Sequence, residues 1–279
     1  MRCVSDLNSS LNVETQDVAV PLAAKSARAG SQPWLAILVA ATALVLWQIL
    51  SHLKVFPPSV VPSPAEVLQT LGEELASGRL FDDIIASLFR VGVGFGLAVA
   101  LGVPAGLWLG LQPVARAAFL PGINFFRSLS PLAWIPFAIL WFGIGDKPAM
   151  FLIFMACFFP LVLATLSAVA NIPAVYFRVA QDFGLRGSAL LWEVTLPAVM
   201  PQLITALRVT AGLAWLVVVA AEMIAGRDGL GFLIWDARNG LRMELLVAGM
   251  VVIGAIGMLL DRVLLRLTHL PQVRWGYDR

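Results

Sequence analysis

Residues 149–225 read AMFLIFMACFFPLVLATLSAVA (149–170), then NIPAVYFRVAQDFGLRGSALLWEVTLPAVMPQ (171–202), then LITALRVTAGLAWLVVVAAEMIA (203–225). The first and third parts have about the 20 apolar residues that a helix needs to cross a bilayer core. The middle part is amphipathic, and Gly184 and Gly187 separate two short helical segments in it, because glycine accepts the left-handed backbone that ends a helix. The pattern predicts two membrane-spanning helices joined by short helices outside the bilayer.

Further apolar runs extend this pattern over most of the chain. They cover about Trp34–Leu50, Ala86–Gly110, Phe119–Phe142 and Leu245–Leu267. The runs are long and lack the alternating polarity of membrane strands, so they predict an all-α membrane protein of about six transmembrane helices. Arg127, Pro131 and Pro136 interrupt the third run, and we expect irregular backbone there, which membranes tolerate where it lines a cavity.

Composition supports a membrane location for most of the chain. Hydrophobic residues make up 59% of the sequence and charged residues only 13%, whereas soluble domains carry roughly 25% charged residues. The net charge of +2 is too small to indicate a nucleic-acid partner. We expect a flexible cytoplasmic tail at 1–33, a transmembrane domain at 34–270 and a cytoplasmic tail at 271–279. The distribution of Lys and Arg favours both termini inside, which places 171–202 in the cytoplasm.

The connections between the spans contain fewer signals. Residues 51–85 and 226–243 are predicted loops, and 171–202 is a third. Within the first, Ser63-Pro64-Ala65-Glu66 predicts the start of a short surface helix, with Ser63 as its N-cap and Pro64 at its first position.

Glycines in the second apolar run have the GxxxG spacing of closely packed membrane helices. The pairs are Gly92 and Gly96, Gly102 and Gly106, and Gly106 and Gly110. We expect them to face a neighbouring helix, either within the subunit or across a dimer.

The sequence contains no arrangement that predicts catalysis or a metal site. Its two histidines, His52 and His269, lie near span ends without other metal-binding side chains around them. It also lacks the GxxxxGK[ST] phosphate loop, so this chain does not supply a Walker nucleotide site. We therefore expect a non-catalytic membrane subunit that binds no cofactor of its own.

The stretch at 171–202 resembles the cytoplasmic signature of ABC importer permeases, which reads EAA, three residues, Gly, nine residues, Ile, one residue, Leu-Pro. Gly184, Val194, Leu196 and Pro197 stand at these spacings, and Ala180 matches the second Ala. The sequence departs from the signature at Arg178, which takes the place of the Glu, and at Val179, which takes the place of the first Ala.

This resemblance implies a type I ABC importer permease fold and a set of partners. It implies two permease copies around a pathway, two ABC ATPase subunits that use ATP and Mg²⁺, and a periplasmic or lipid-anchored substrate-binding protein at the inner membrane. The residues expected to couple this chain to the ATPase are Arg178, Ala180, Gln181, Asp182, Phe183, Gly184, Leu185, Val194, Leu196 and Pro197.

Three further stretches resemble the nitrate, sulfonate and taurine branch of that family. They are SPLAWIPFAILWFGIGD (130–146), LAWLVVVAAEMI (213–224) and GLGFLIWDARN (229–239). The resemblance implies a small oxyanion as substrate, an aliphatic sulfonate or taurine, with nitrate, cyanate or bicarbonate as the alternative. An ion-gradient-driven secondary transporter is a second alternative, although the chain shows no duplicated halves.

Several side chains inside the apolar runs are candidates for the translocation pathway. They are Arg127, Ser130, Pro131, Trp134, Trp215 and Glu222. Each has an alternative interpretation. Arg127 can extend to the cytoplasmic surface of the membrane, the Trp residues can anchor interfaces or fill the core, and Glu222 can form a structural ion pair, for instance with Arg90.

Overall fold

A computed structural model describes residues 33–53, 57 and 60–267. The tails predicted at 1–33 and 271–279 lie outside the described residues, apart from Pro33. Within the described part the chain is helical and forms no strand, so the all-α prediction is confirmed. The described residues up to Leu46 and the described residues from Trp47 onward belong to two separate units.

Eleven helices follow one another in the described part of the chain. They are α1 (Pro33–His52), α2 (Pro64–Ser77), α3 (Arg79–Leu111), α4 (Pro113–Ser128), α5 (Ile135–Phe142), α6 (Asp146–Ala170), α7 (Ala174–Asp182), α8 (Ser188–Leu190), α9 (Leu196–Ala225), α10 (Leu230–Asn239) and α11 (Met243–Leu267). A 3₁₀ turn at Pro131–Trp134 precedes α5, and a π turn at Leu191–Thr195 precedes α9.

Four helices are long and apolar enough to cross a membrane: α3, α6, α9 together with the turns before it, and α11. A fifth span results if the bent pair Pro113–Ser128 and Pro131–Phe142 crosses as one unit. The first predicted run forms α1, whose apolar part, Ile37–His52, is shorter than the other spans. The predicted count of six therefore requires α1 as the sixth span.

The third predicted span is broken, as its prolines indicated. The two halves of the bent pair meet at 85°. Leu129 and Ser130 are extended at the break (ψ 132° and 127°). The ring of Pro131 disfavours helical backbone in the residue before it, which is Ser130.

Helix α6 packs between α3 and α9 and forms the centre of the core. Close contact with α3 depends on glycine: a Cβ added at Gly106 would lie 2.6 Å from Cβ of Thr165, and one added at Gly94 would lie 2.7 Å from the Met150 carbonyl oxygen. Glycines 102 and 110 also face α6, so their predicted packing role is confirmed.

Gly92 and Gly96 do not pack against another described helix of this subunit, because neither has a neighbour within 4 Å of an added Cβ. Their packing across a dimer stays a prediction. Gly94 occupies the contact instead. Successive helix positions differ by about 100°, so Gly92 lies nearly opposite Gly94 on α3.

The loops contain more helix than the sequence predicted. The surface helix α2 begins as expected: the Ser63 hydroxyl accepts the Glu66 N–H at 3.2 Å, and the Ser63 N–H donates to the Glu66 carboxylate at 2.7 Å, which is a capping box. The predicted loop at 226–243, in contrast, contains the ten-residue helix α10, whose buried residues pack on α9 and α11.

Candidate functional site

Helix α7 ends at a glycine, as the sequence predicted. Gly184 has φ +75°. Its N–H donates to the Gln181 carbonyl at 2.9 Å, and the Leu185 N–H donates to the Ala180 carbonyl at 2.9 Å. This pair of bonds is the Schellman motif, which requires a left-handed residue after the helix. The chain then turns through Gly187, at φ +58°, into α8.

An apolar stripe on α7 is left uncovered by the described residues. Val175, Val179 and Phe183, called the exposed stripe below, are 57%, 47% and 80% exposed. Their spacing of four residues places them on one side of the helix, while Ala180 on another side is buried. Exposed apolar patches mark surfaces that bind a partner.

The remaining predicted coupling residues surround this stripe and the start of α9. Arg178, Gln181 and Asp182 are exposed on α7, so the position of the signature Glu carries an exposed positive charge. Leu185, Val194 and Leu196 are half-buried, and Pro197 is exposed. The structure thus divides the predicted set between α7 with its end and the π turn with the first residues of α9.

The π turn joins α8 to α9 with an unusual hydrogen-bond register. The Leu196 N–H donates to the Leu191 carbonyl, five residues earlier, and the buried Thr195 hydroxyl donates to the Leu190 carbonyl at 3.2 Å. Turns of this kind inside helices are frequent at functional sites. Pro197, which has no N–H, follows immediately.

A groove of about 480 Å³ opens beside the π turn, where the end of α6, α7 and the start of α9 meet. Its lining is mostly apolar and includes Ile172, Val194 and Ala198, and the exposed side chains of Tyr176 and Glu193 also line it. None of the three residues of the exposed stripe lines the groove.

The break between α4 and α5 holds four of the predicted pathway residues. Arg127 and Ser130 are exposed, and Pro131 and Trp134 are half-buried. The ring of Trp134 lies 6.5 Å from that of Phe151 and belongs to a larger aromatic cluster. The cluster includes Phe126, Trp134, Phe137, Trp141, Phe142 and Phe151.

Arg90 on α3 is the centre of a buried charge network, and its pairing with Glu222 is confirmed. Arg90 is 1% exposed and Glu222 is fully buried. Arg90 Nη1 donates to Glu222 Oε1 at 2.7 Å and to the Asp228 carbonyl at 2.9 Å. Its Nη2 donates to Asp146 Oδ1 at 2.6 Å and also binds the Asp228 carboxylate. Asp146 and Asp228 are exposed, so the guanidinium connects the core to the surface.

The second oxygen of Glu222 holds the start of α10 in place. Glu222 Oε2 accepts the Ser87 hydroxyl and the Gly231 N–H, each at 2.9 Å. Asp83 Oδ1 accepts the Gly229 N–H at 2.7 Å. The network therefore ties α3, α6, α9 and the turn before α10 together at one end of the helices.

Sequence reasoning missed Asp146 and Asp228 as partners of Arg90. Both are acidic residues beside glycine at the end of an apolar run, in the sequences FGIGD and GRDG. An Arg inside a membrane span needs carboxylates nearby to pair with. This need was the signal by which the sequence could have indicated Asp146 and Asp228.

Trp215 is buried where α9 meets α11. It is 8% exposed, and its indole N–H donates to the Ile253 carbonyl at 3.1 Å. On the same side of α9, Arg208 pairs with Asp261 of α11 at 2.6 and 2.7 Å. These contacts set the register of two antiparallel helices.

Comparison with known proteins gives one family match. Residues 102–270 match the family described as "Binding-protein-dependent transport system inner membrane component". The matched part includes the break at α4 and α5, the exposed stripe and the groove.

Relatives of known name match most of the chain. A putative ABC transporter permease protein of Methanocaldococcus jannaschii is 37% identical over 233 residues, covering 82% of this chain and 87% of its own. The taurine transport system permease protein TauC of Escherichia coli is 34% identical over 235 residues, covering 82% and 86%. Other relatives are named as permeases for aliphatic sulfonates in Bacillus subtilis (30% identical), nitrate in Synechocystis sp. (34%) and bicarbonate in Synechococcus elongatus (39%).

A solved structure shares the fold. A chain of the MetNI methionine ABC transporter, in inward-facing conformations, aligns with a TM-score of 0.62 and 18% identity, covering 68% of this chain and 94% of that one. At this identity the likeness concerns the fold alone.

Proposed function

This chain belongs to the family of binding-protein-dependent transport system inner membrane components, and from that premise we propose that it forms the pathway by which an ABC importer moves an aliphatic sulfonate or taurine. Membership makes the chain an ABC importer permease, which is a non-catalytic transport subunit. Membership of this family gives no support to the alternative of an ion-gradient-driven transporter.

The observation that carries the proposed mechanism is the exposed stripe. An apolar helix face outside the membrane-spanning helices needs a partner groove, and helix-in-groove docking provides one. We propose that the partner is an ABC ATPase subunit, whose own surface supplies the groove for α7. This subunit binds ATP and Mg²⁺ and drives the conformational change. Gly184 then fixes where the docked helix ends, and the π turn transmits its displacement to α9.

The break between α4 and α5 supports a pathway position for Arg127, Ser130, Pro131 and Trp134. Irregular backbone within a membrane requires protein or a cavity around it, and an exposed Arg127 attracts an anion. Trp215 and Glu222 lie inside the subunit, so their proposed contribution is to hold the helices around the pathway rather than to contact substrate.

The proposed substrate class follows from the relatives. The relatives named for taurine and for nitrate match 82% and 80% of the chain, each at 34% identity, whereas the relative named for bicarbonate matches 66%. All three substrates are small oxyanions, and nitrate is the alternative. A substrate-binding protein delivers the substrate, a second permease copy completes the pathway, and both termini lie in the cytoplasm.

Docking on the exposed stripe is tested with Phe183→Ser. Because Phe183 is 80% exposed, we expect normal amounts of folded protein but loss of the ATPase subunit on co-purification from solubilised membranes. Val114→Ser is the matched control, since Val114 is 82% exposed on another helix. Undiminished co-purification of Phe183→Ser would assign the stripe another role.

Transmission through the end of α7 is tested with Gly184→Val. A β-branched residue at φ +75° is strained, so the turn has to change shape. We expect the ATPase to remain bound while ATP hydrolysis no longer drives uptake. Normal coupled uptake by this variant would exclude the assignment.

The substrate is tested in proteoliposomes that contain the permease, the ATPase and its binding protein. We expect ATP-dependent uptake of labelled taurine or an alkanesulfonate above that of nitrate and bicarbonate. Preferential uptake of nitrate would keep the ABC importer function and replace the proposed substrate.

A further inference from the structure

The groove beside the π turn lies close to where the described chain ends. Helix α11 ends at Leu267, and α9 and α11 run antiparallel, with Arg208 opposite Asp261 and Trp215 opposite Ile253. Continuing this register to the end of α11 brings Leu267 level with Gln202, which lines the groove. The chain therefore leaves α11 at the edge of the groove.

The face of α9 that contacts α11 also contributes to the lining of the groove. Pro201 and Pro197 line the groove, and they precede Arg208 by two and three turns of the helix. At about 100° per residue, both positions fall within roughly 20° of Arg208 around α9. A chain that continues along this face from α11 therefore leads towards the groove.

The residues after Leu267 have the composition that the groove requires. They read THLPQVRWGYDR (268–279) and contain Trp275 and Tyr277 next to Arg274. Aromatic and Arg side chains are the residues that most often anchor a binding segment. The groove offers an apolar lining and the exposed Glu193 carboxylate, which complements Arg274 in charge.

We propose that residues 268–279 bind in this groove, with Trp275 and Tyr277 against its apolar lining and Arg274 paired with Glu193. The reach is sufficient: the eight residues from 268 to 275 span about 26 Å when extended, whereas the nine residues of helix from Gln202 back to Glu193 span about 14 Å.

Binding in the groove places this segment between α7 and α9. Tyr176 of α7 lines the groove, while the exposed stripe does not. The bound segment thus connects α7 to α9 and leaves the stripe free for a partner. The inference rests on the fold alone and does not depend on the proposed substrate or ATPase.

Disulfide cross-linking in native membranes tests the proposal. Gly276→Cys leaves the aromatic anchors and Arg274 in place, and Ala198→Cys puts a thiol on the groove wall. Both are introduced with Cys3→Ser and Cys157→Ser. We expect an intramolecular disulfide after mild oxidation, identified by mass spectrometry of the linked peptides. The control pair, Gly276→Cys with the exposed Val114→Cys, is expected to remain reduced.

A charge swap gives a second, independent readout. Glu193→Lys should lower the yield of the disulfide about fivefold, the equivalent of about 1 kcal/mol for an exposed ion pair, and adding Arg274→Glu should restore it. Absence of the disulfide at Ala198→Cys, equal cross-linking to Val114→Cys, or a yield insensitive to both charges would each overturn the proposal. A disulfide between two copies would overturn it in favour of the segment of the second copy.

Discussion

The burial of the ion pair between Arg90 and Glu222 predicts that Glu222→Gln lowers the free energy of unfolding. Glu222→Gln keeps the size of the side chain and removes its charge. It removes the fully buried carboxylate beside Arg90 and leaves the exposed Asp146 and Asp228 as partners of the guanidinium. The amide group of the new side chain then faces the Ser87 hydroxyl and the Gly231 N–H, which both donate to Glu222 Oε2 at 2.9 Å in the unchanged protein. Removing one partner of a buried pair costs about 3–5 kcal/mol. For a chain of this size, that corresponds to a fall of roughly 6–20 °C in Tm.

The measurement is thermal unfolding of the detergent-solubilised protein, followed by size-exclusion chromatography of heated samples. Asp146→Asn is the matched control, because Asp146 also binds Arg90 but its side chain is 54% exposed. Exposed ion pairs contribute about 0–1 kcal/mol, so its Tm should fall by less than about 4 °C. The double variant Arg90→Gln with Glu222→Gln should lose less stability than the two single changes together.

Equal shifts for Glu222→Gln and Asp146→Asn would refute this reasoning. They would mean that burial of Glu222 adds nothing to its interaction with Arg90. A double variant as unstable as the sum of the single changes would lead to the same conclusion.

Three further predictions use the same unfolding measurement. Gly106→Ala should lower stability by about 1–3 kcal/mol through overpacking, since the new Cβ would lie 2.6 Å from Cβ of Thr165. Gly96→Ala is the control and should leave stability unchanged. Similar losses for both variants would contradict the α3–α6 contact. Thr165→Val should raise stability by about 1 kcal/mol, because the buried Thr165 hydroxyl has no hydrogen-bond partner among the described residues. The control Thr210→Val should bring no gain in stability, because the Thr210 hydroxyl donates to the Ala206 carbonyl at 2.8 Å. Leu241→Gly should raise stability by about 1 kcal/mol, since Leu241 is held at φ +56° and is exposed; a loss would show that its side chain makes a contact outweighing this strain.

Features set by short-range physics were predictable from the sequence. The long apolar runs gave the spans, Ser63 and Glu66 gave the start of α2, and Gly184 gave the end of α7. Each of these depends on residues within about one helical turn or on the bilayer thickness. The break at Pro131 belongs to the same group, because a proline constrains its own neighbour.

Features set by tertiary packing were not predictable in the same way. Asp146 and Asp228 lie 56 and 138 residues from Arg90, so nothing local indicates that they meet it. The choice between Gly94 and its neighbours Gly92 and Gly96 depends on which side of α3 faces α6. That side follows from the whole bundle rather than from the GxxxG spacing.

The ion pair between Arg90 and Glu222 also constrains how the chain enters the membrane. Asp146 follows Arg90 by 56 positions and Glu222 follows it by 132, so at the usual synthesis rate of about 5–20 residues per second Arg90 waits on the order of ten seconds for its buried partner Glu222. An Arg at the centre of a membrane helix costs about 2.5–3.5 kcal/mol on insertion scales, and the cost is smaller towards the end of the helix, where Arg90 lies. This free-energy cost is avoided if the translocon retains α3 until α9 has been made and then releases the helices into the lipid as a group rather than one by one.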